Sequence, residues 1–250
     1  MSGSVVGGAA AWLADPARWS GEAGIPARLW EHVWVSGVSV LVAAAVALPV
    51  ALVLGHLGRG GALASAVANL GRAVPTLAVL VILVLSPAPF GIANVVTCTV
   101  VALVLFAIPP ILTNAYAGIR AVDADLVEAA RGMGLTGPQV LFRVELPLAV
   151  PLVVAGLRIA TAQVIATATI AAFVAGPGLG RFISAGFGNQ DTPQLIGGAF
   201  LVATFAVLVE VAFQVLQRRL TPSRSSRTGL VEDVGAAAVD TRQPGLTGSL

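Results

Sequence analysis

An all-α integral membrane protein with about five transmembrane helices is the fold class this sequence predicts, on three observations. Charged residues make up only 10% of the chain, hydrophobic residues 57%, and mean hydropathy is +0.92. A soluble domain carries about 25% charged residues, so this chain cannot cover a water-facing surface and needs lipid around it. Second, its uncharged runs are long. His32 to Gly58 holds 27 residues without Asp, Glu, Lys or Arg, and 47 more lie between Arg72 and Arg120. Third, the arginines fall unevenly between those runs, as a membrane topology requires.

The spans follow in order. Span 1 is expected over about 34–57, enough to cross a core of roughly 30 Å at about 1.5 Å per residue. The run between Arg72 and Arg120 overshoots a bilayer, so it folds back. Ser86-Pro87-Ala88-Pro89-Phe90-Gly91 is turn chemistry and divides it into span 2 at about 70–86 and span 3 at about 94–117. Span 4 runs from about Pro147 to Val174 and ends at Gly176-Pro177-Gly178-Leu179-Gly180. Span 5 occupies about 194–217, contains Glu210, and is followed by Arg218 and Arg219. The membrane-spanning region is thus 33–220. Residues 1–32 form an N-terminal segment without the basic start of a signal peptide but with room for an interfacial helix. Residues 221–250 read as a disordered tail rich in Ser, Thr, Gly, Pro and Arg.

Five spans place the termini on opposite sides. With the N-terminus outside, ten arginines fall inside (59, 72, 120, 131, 143, 218, 219, 224, 227 and 242) and three outside (18, 28 and 181). That is the positive-inside bias, and Trp30 and Trp34 then lie at the outer interface. The tail is therefore expected in the cytoplasm.

The composition also excludes chemistry. No lysine is present, since all 14 basic residues are arginine; this removes a P-loop lysine and a lysine nucleophile. Cys98 is the sole cysteine, and His32 and His56 are the only histidines, too few for a usual zinc site. A net charge of +2 gives no reason to expect nucleic acid as a partner. Cys98 and His56 read as structural, and no catalytic, cofactor or metal site is expected in this chain.

The longest internal polar segment, 118–146, joins spans 3 and 4. Val122, Leu126, Ala129 and Met133 fall on one face at helical spacing. Asp125 with Glu128 looks like a capping box, and Gly132 and Gly134 are expected to end the helix. An amphipathic helix tied between two spans buries its apolar face either on lipid or on another protein.

Within that loop, Glu128-Ala129-Ala130, Gly134, Val144 and Leu146-Pro147 stand at the spacing of the EAA signature of ABC importer permeases, with valine in place of the usual isoleucine. The resemblance extends over roughly 34–220 and implies a MetI-like importer permease fold with a cytoplasmic coupling helix in an EAA loop at 118–147. It also implies that Glu128 makes polar contacts to a separate ATPase, that Ala129 and Ala130 permit close approach, and that Gly134 permits a sharp exit. ATP and Mg²⁺ then belong to that ATPase. The other partners implied are a second permease subunit, identical or related, and a separate extracytoplasmic binding protein, since no room remains for a binding domain after residue 220. The location implied is the bacterial cytoplasmic membrane.

The stretches 72–78, 108–119, 156–162, 167–173 and 178–183 resemble the osmoprotectant branch, which carries glycine betaine, choline, carnitine or proline betaine. Methionine permeases share the general pattern and remain the nearest alternative. An ion-driven carrier, an intramembrane enzyme and a non-transporting subunit are the rival classes, and only Arg158 offers the ionisable mid-span residue that the first of these needs. Arg158, about eleven residues into span 4, together with Phe106 and Phe173, are candidates for the pathway or a subunit interface. Phe200 and Phe205 share that role, and simple packing competes for every phenylalanine. Gly156/Ala160 and Ala162/Ala166 have small-residue spacing suited to close helix contact. Glu210 is expected to snorkel or to pair with the terminal arginines.

Overall fold

A computed structural model of the chain describes residues 5–85 and 94–220, which contain helices and no strand. The turn expected at 86–91 and the tail expected at 221–250 lie outside the described residues. The helices are α1 (Val5–Ala14), α2 (Ile25–His56), α3 (Gly61–Ala73), α4 (Thr76–Leu85), α5 (Val95–Arg120), α6 (Ala124–Gly132), α7 (Gly137–Val140), α8 (Leu146–Ala171), α9 (Gly180–Gly188) and α10 (Thr192–Leu220). Four stretches are long and apolar enough to cross a membrane: α2, α5, α10, and the continuous helical run from Gly137 to Val174 that contains α8.

The fifth span expected, 70–86, is instead two helices, α3 and α4, bent by 77°. Pro75 is the cause. It cannot donate an N–H, and it drives Val74 out of the helical region, to φ −82° and ψ 122°. The pair counts as one broken span if it crosses the membrane. Span 1 also differs from its expectation. Helix α2 begins at Ile25, nine residues before the expected start, because Gly24 supplies an extended N-cap and Pro26 fits the first turn.

Packing centres on α5, which lies between α2 and α8. The seam is built of small residues at helical spacing: Ala43, Ala47 and Ala51 from α2, Ala107 and Ala115 from α5, Ala160 and Ala168 from α8, with Leu103, Ile111 and Val164 filling between them. Lipid gives no hydrophobic drive for helices to associate, so close van der Waals packing has to supply it. Two glycines show how close. A Cβ on Gly55 would lie 2.8 Å from Cβ of Ile119, and one on Gly156 would lie 2.8 Å from Cβ of Asn114 and 2.9 Å from the Pro110 carbonyl. Gly156/Ala160 therefore lies in the seam as its spacing suggests, whereas Ala162 and Ala166 are exposed.

Helix α5 carries Pro109 and Pro110 without breaking. Thr113 and Asn114 donate from their side chains to the Pro109 and Pro110 carbonyls at 2.8 Å each. The last long helix, α10, packs on α9, α1 and α8. It is the most exposed of the long helices, with 11% of its apolar window buried. At one end of the bundle α1 and α9 meet: Trp12 and Phe182 form an edge-to-face pair 5.3 Å apart, over Ile25 and Leu179. The 118–147 loop lies at the other end.

Candidate functional site

Helix α6 starts at Asp123, whose carboxylate accepts from the Asp125 N–H at 3.0 Å. The cap is thus Asp123 and not the expected Asp125/Glu128 pair. The capping box of this loop belongs to the next turn, where Thr136 and Gln139 bond reciprocally, with Gln139 Oε1 accepting from the Thr136 N–H at 2.8 Å. Helix α6 ends as expected at Gly132. Leu135 N–H reaches back to the Ala130 carbonyl at 3.2 Å, and Gly134 takes φ +86°, the left-handed exit glycine favours.

Ala130 is 2% exposed and turned into the loop. The apolar row points the other way: Leu126 is 51% and Met133 75% exposed, and Ala129 and Glu128 are exposed beside them. Among the described residues nothing covers Leu126 or Met133. Behind α6 lies a cleft of about 690 Å³, lined by His56, Arg120, Glu128, Arg131 and Glu145 among others. There residues of the EAA loop meet the end of α2.

The contact that ties them together escaped the sequence reading. Glu145, buried at 4% exposure, lies 2.6 Å from His56 Nδ1, the last residue of α2. Sequence separation of 89 residues hides such a pair. Glu145 ends a π-helical turn, Leu141–Glu145, in which the Leu146 N–H donates to the Leu141 carbonyl. Pro147, next to Leu146 at the start of α8, has no N–H and crowds the carbonyl four residues back. The ladder widens just before it.

Within the spans, Arg158 of α8 pairs with Glu210 of α10, Nε to Oε1 at 2.7 Å. Glu210 thus meets Arg158 and not the terminal arginines. Gln217 accepts from the Arg158 guanidinium at 3.3 Å, and Gln214 donates to Glu210 at 3.4 Å. The Arg158 and Glu210 side chains remain 32% and 34% exposed in the single chain. A charge inside a span normally faces protein or water, so this polar ladder marks a face turned away from lipid. Phe106 is buried in α5 against α3 and α4. Phe173 is half exposed at the far end and meets Phe187 edge-on at 6.2 Å. The structure brings neither phenylalanine near Arg158. Among the described residues, no three metal-ligating side chains come together.

Comparisons with known proteins agree with this geometry. Residues 41–225 match the family model described as binding-protein-dependent transport system inner membrane component. The choline transport system permease protein OpuBB of Bacillus subtilis is 34% identical over 80% of this chain and 90% of its own length. The glycine betaine/carnitine/choline transport system permease protein OpuCB of the same organism is 33% identical over 77% and 86%. The carnitine transport permease protein OpuCB of Listeria monocytogenes is 35% identical over 81% and 91%. Among solved structures, an inward-facing form of the MetNI methionine ABC transporter aligns with TM-score 0.68 at 24% identity, over 79% of this chain and 96% of that one, which shows the fold. With an apolar helical bundle, an EAA-type loop held between two spans and a match running through both, this chain is a multi-pass inner-membrane component of the binding-protein-dependent transport family.

Proposed function

We propose that this chain is the permease subunit of an ATP-driven importer of quaternary-amine osmoprotectants, chiefly glycine betaine, carnitine and choline. The observation that carries the substrate class is sequence similarity. Relatives whose names specify these solutes match about four-fifths of the chain at a third identity.

Helix α6 is the coupling element. Its outward apolar row, Leu126, Ala129 and Met133, seats in a groove of a cytoplasmic ATPase, with Glu128 making polar contacts at the rim. Ala130 keeps α6 close to the loop behind it, and Gly134 turns the chain back toward Leu146 and Pro147. ATP and Mg²⁺ reside on that ATPase, since this chain has no lysine to serve a Walker A site. ATP binding draws two such loops together. The His56–Glu145 contact passes the motion to α2, and the Leu141–Glu145 turn passes it to α8. The spans then open outward to a solute-loaded binding protein, and hydrolysis resets them. The N-terminus lies outside and the C-terminus in the cytoplasm, as the arginine distribution favours.

Uptake by vesicles holding this chain, its partner permease, ATPase and binding protein tests the reading. Labelled glycine betaine, choline or carnitine should accumulate only with ATP and binding protein, and methionine should not. Transport of methionine with every quaternary amine ignored would sink the substrate assignment and leave the importer mechanism standing.

A further inference from the structure

The end of α2 opposite the coupling loop holds polar atoms that this conformation leaves unused. His32 is fully buried, and among the described residues its ring nitrogens have only a poorly aligned contact to the Ile165 backbone. Ser36, one turn along the same face, is 4% exposed, and its hydroxyl has no partner among the described residues. Ser39, the next polar residue, satisfies itself by donating to the Val35 carbonyl at 2.7 Å. Burial of polar atoms so poorly satisfied is rare in native proteins and calls for a reason. These atoms are adjacent, and all lie inside a single chain, so a second subunit does not cover them.

What closes over them is the loop after α8. Gly178, at φ +105°, packs so tightly on the imidazole that a Cβ there would lie 2.8 Å from Nδ1. One hydrogen bond ties this loop to α2: the Gly178 N–H donates to Glu31 Oε2 at 2.9 Å. The same carboxylate is held by Arg28 at 2.8 Å. Phe205 of α10 meets the His32 ring edge-on, centroids 5.4 Å apart. A loop tied to α2 through a single carboxylate, a glycine fitted to a histidine, and poorly satisfied polar atoms beneath describe a gate in its shut position.

We propose that His32 and Ser36 form a solute-contacting step in the outer half of the translocation path, shut here by the loop at 175–180 and its Glu31 latch. When the spans open outward, the latch parts and the step hydrogen-bonds the polar end of the solute. That end is a carboxylate in betaine or carnitine and a hydroxyl in choline. Phe205, exposed at the same time, offers the aromatic surface a quaternary ammonium favours. The proposal rests on the function and orientation argued above.

The test uses Ser36→Cys in a Cys98→Ala chain, assembled with its partners in vesicles and treated from outside with a membrane-impermeant maleimide. Labelling should be at least about tenfold faster when ATP is trapped on a hydrolysis-deficient ATPase than without nucleotide. Saturating glycine betaine should slow it again. His32→Leu should lower glycine betaine uptake about tenfold or more while His32→Gln, which still hydrogen-bonds, retains most of it; size-exclusion chromatography confirms assembly of both. Absence of labelling in every state, or equal labelling in all, overturns the gate. Labelling that follows ATP but ignores glycine betaine, or wild-type uptake by His32→Leu, overturns the solute contact. Wild-type uptake measured alongside separates these failures from a failure of the substrate class, because the nucleotide dependence of labelling needs no solute.

Discussion

Replacing Gly134 by valine puts a β-branched side chain where the backbone has φ +86°. A Cβ built there meets nothing within 4 Å, so the whole penalty is conformational. A non-glycine residue forced into that region costs on the order of 1–3 kcal/mol, and a β-branched one lies toward the upper end. At about 1.4 kcal/mol per tenfold, the loop geometry that docks is depleted about 5- to 150-fold. Gly132 supplies the control. It lies two residues earlier, a Cβ there also meets nothing within 4 Å, and its φ is ordinary. Alanine at 132 should be tolerated, or slightly favourable to the helix. The assay is uptake in vesicles as a function of ATPase subunit concentration. Gly134→Val should need 5- to 150-fold more ATPase for half-maximal uptake, with the maximal rate regained at excess, while Gly132→Ala follows the wild type. A Gly134→Val curve that overlays the wild type, or equal loss in both variants, would refute the reasoning.

Further perturbations probe the buried pairs and the topology. His56→Leu leaves the Glu145 carboxylate buried without its partner, a loss of about 3 kcal/mol; the detergent-solubilised protein should melt lower than the His56→Leu/Glu145→Leu double variant, and the reverse order would contradict the pairing. Arg158→Met or Glu210→Met alone should reduce the amount of protein inserted in the membrane more than both together, because each single change strands a charge in a span; equal losses from all three would show that the two residues act independently. In a Cys98→Ala chain, Ser20→Cys should react with an impermeant thiol reagent from outside and Ser225→Cys only after the cytoplasmic side is opened. Reaction of both from one side would exclude an odd number of spans.

Charge-free runs located the spans because the bilayer tests charge first. They carry no information on bends. Pro75 sits in such a run like any apolar residue, and only its effect on Val74 shows that α3 and α4 part there. Helix α6 was legible because both its apolar row and its terminating glycines are local. Its cap was misassigned because Asp123 and Asp125 are both good caps, and only the helix start distinguishes them. The Arg158–Glu210 pair was within reach by depth alone. The two residues lie about 18 Å from the start of α8 and about 15 Å from the end of α10, on antiparallel helices. His56–Glu145 was not within reach, because a histidine at the end of one span and a carboxylate before another share no periodicity. The orphan atoms of His32 and Ser36 were equally hidden, since they become conspicuous only once their surroundings are known.

The π-helical turn at Leu141–Glu145 fits one more residue into a turn than an α-helix allows. Each residue of an α-helix advances the chain by about 100°, so this one extra residue sets the angular phase between α7 and α8. Deleting exposed Phe142 or Arg143 would let the turn relax to an ordinary helix and would swing the loop before it a quarter-turn or so relative to α8. The reading frame of the loop relative to the membrane is thus stored as a length. Substitutions at exposed Phe142 and Arg143 would be absorbed, whereas a gain or loss of one residue would turn the loop out of register with the span.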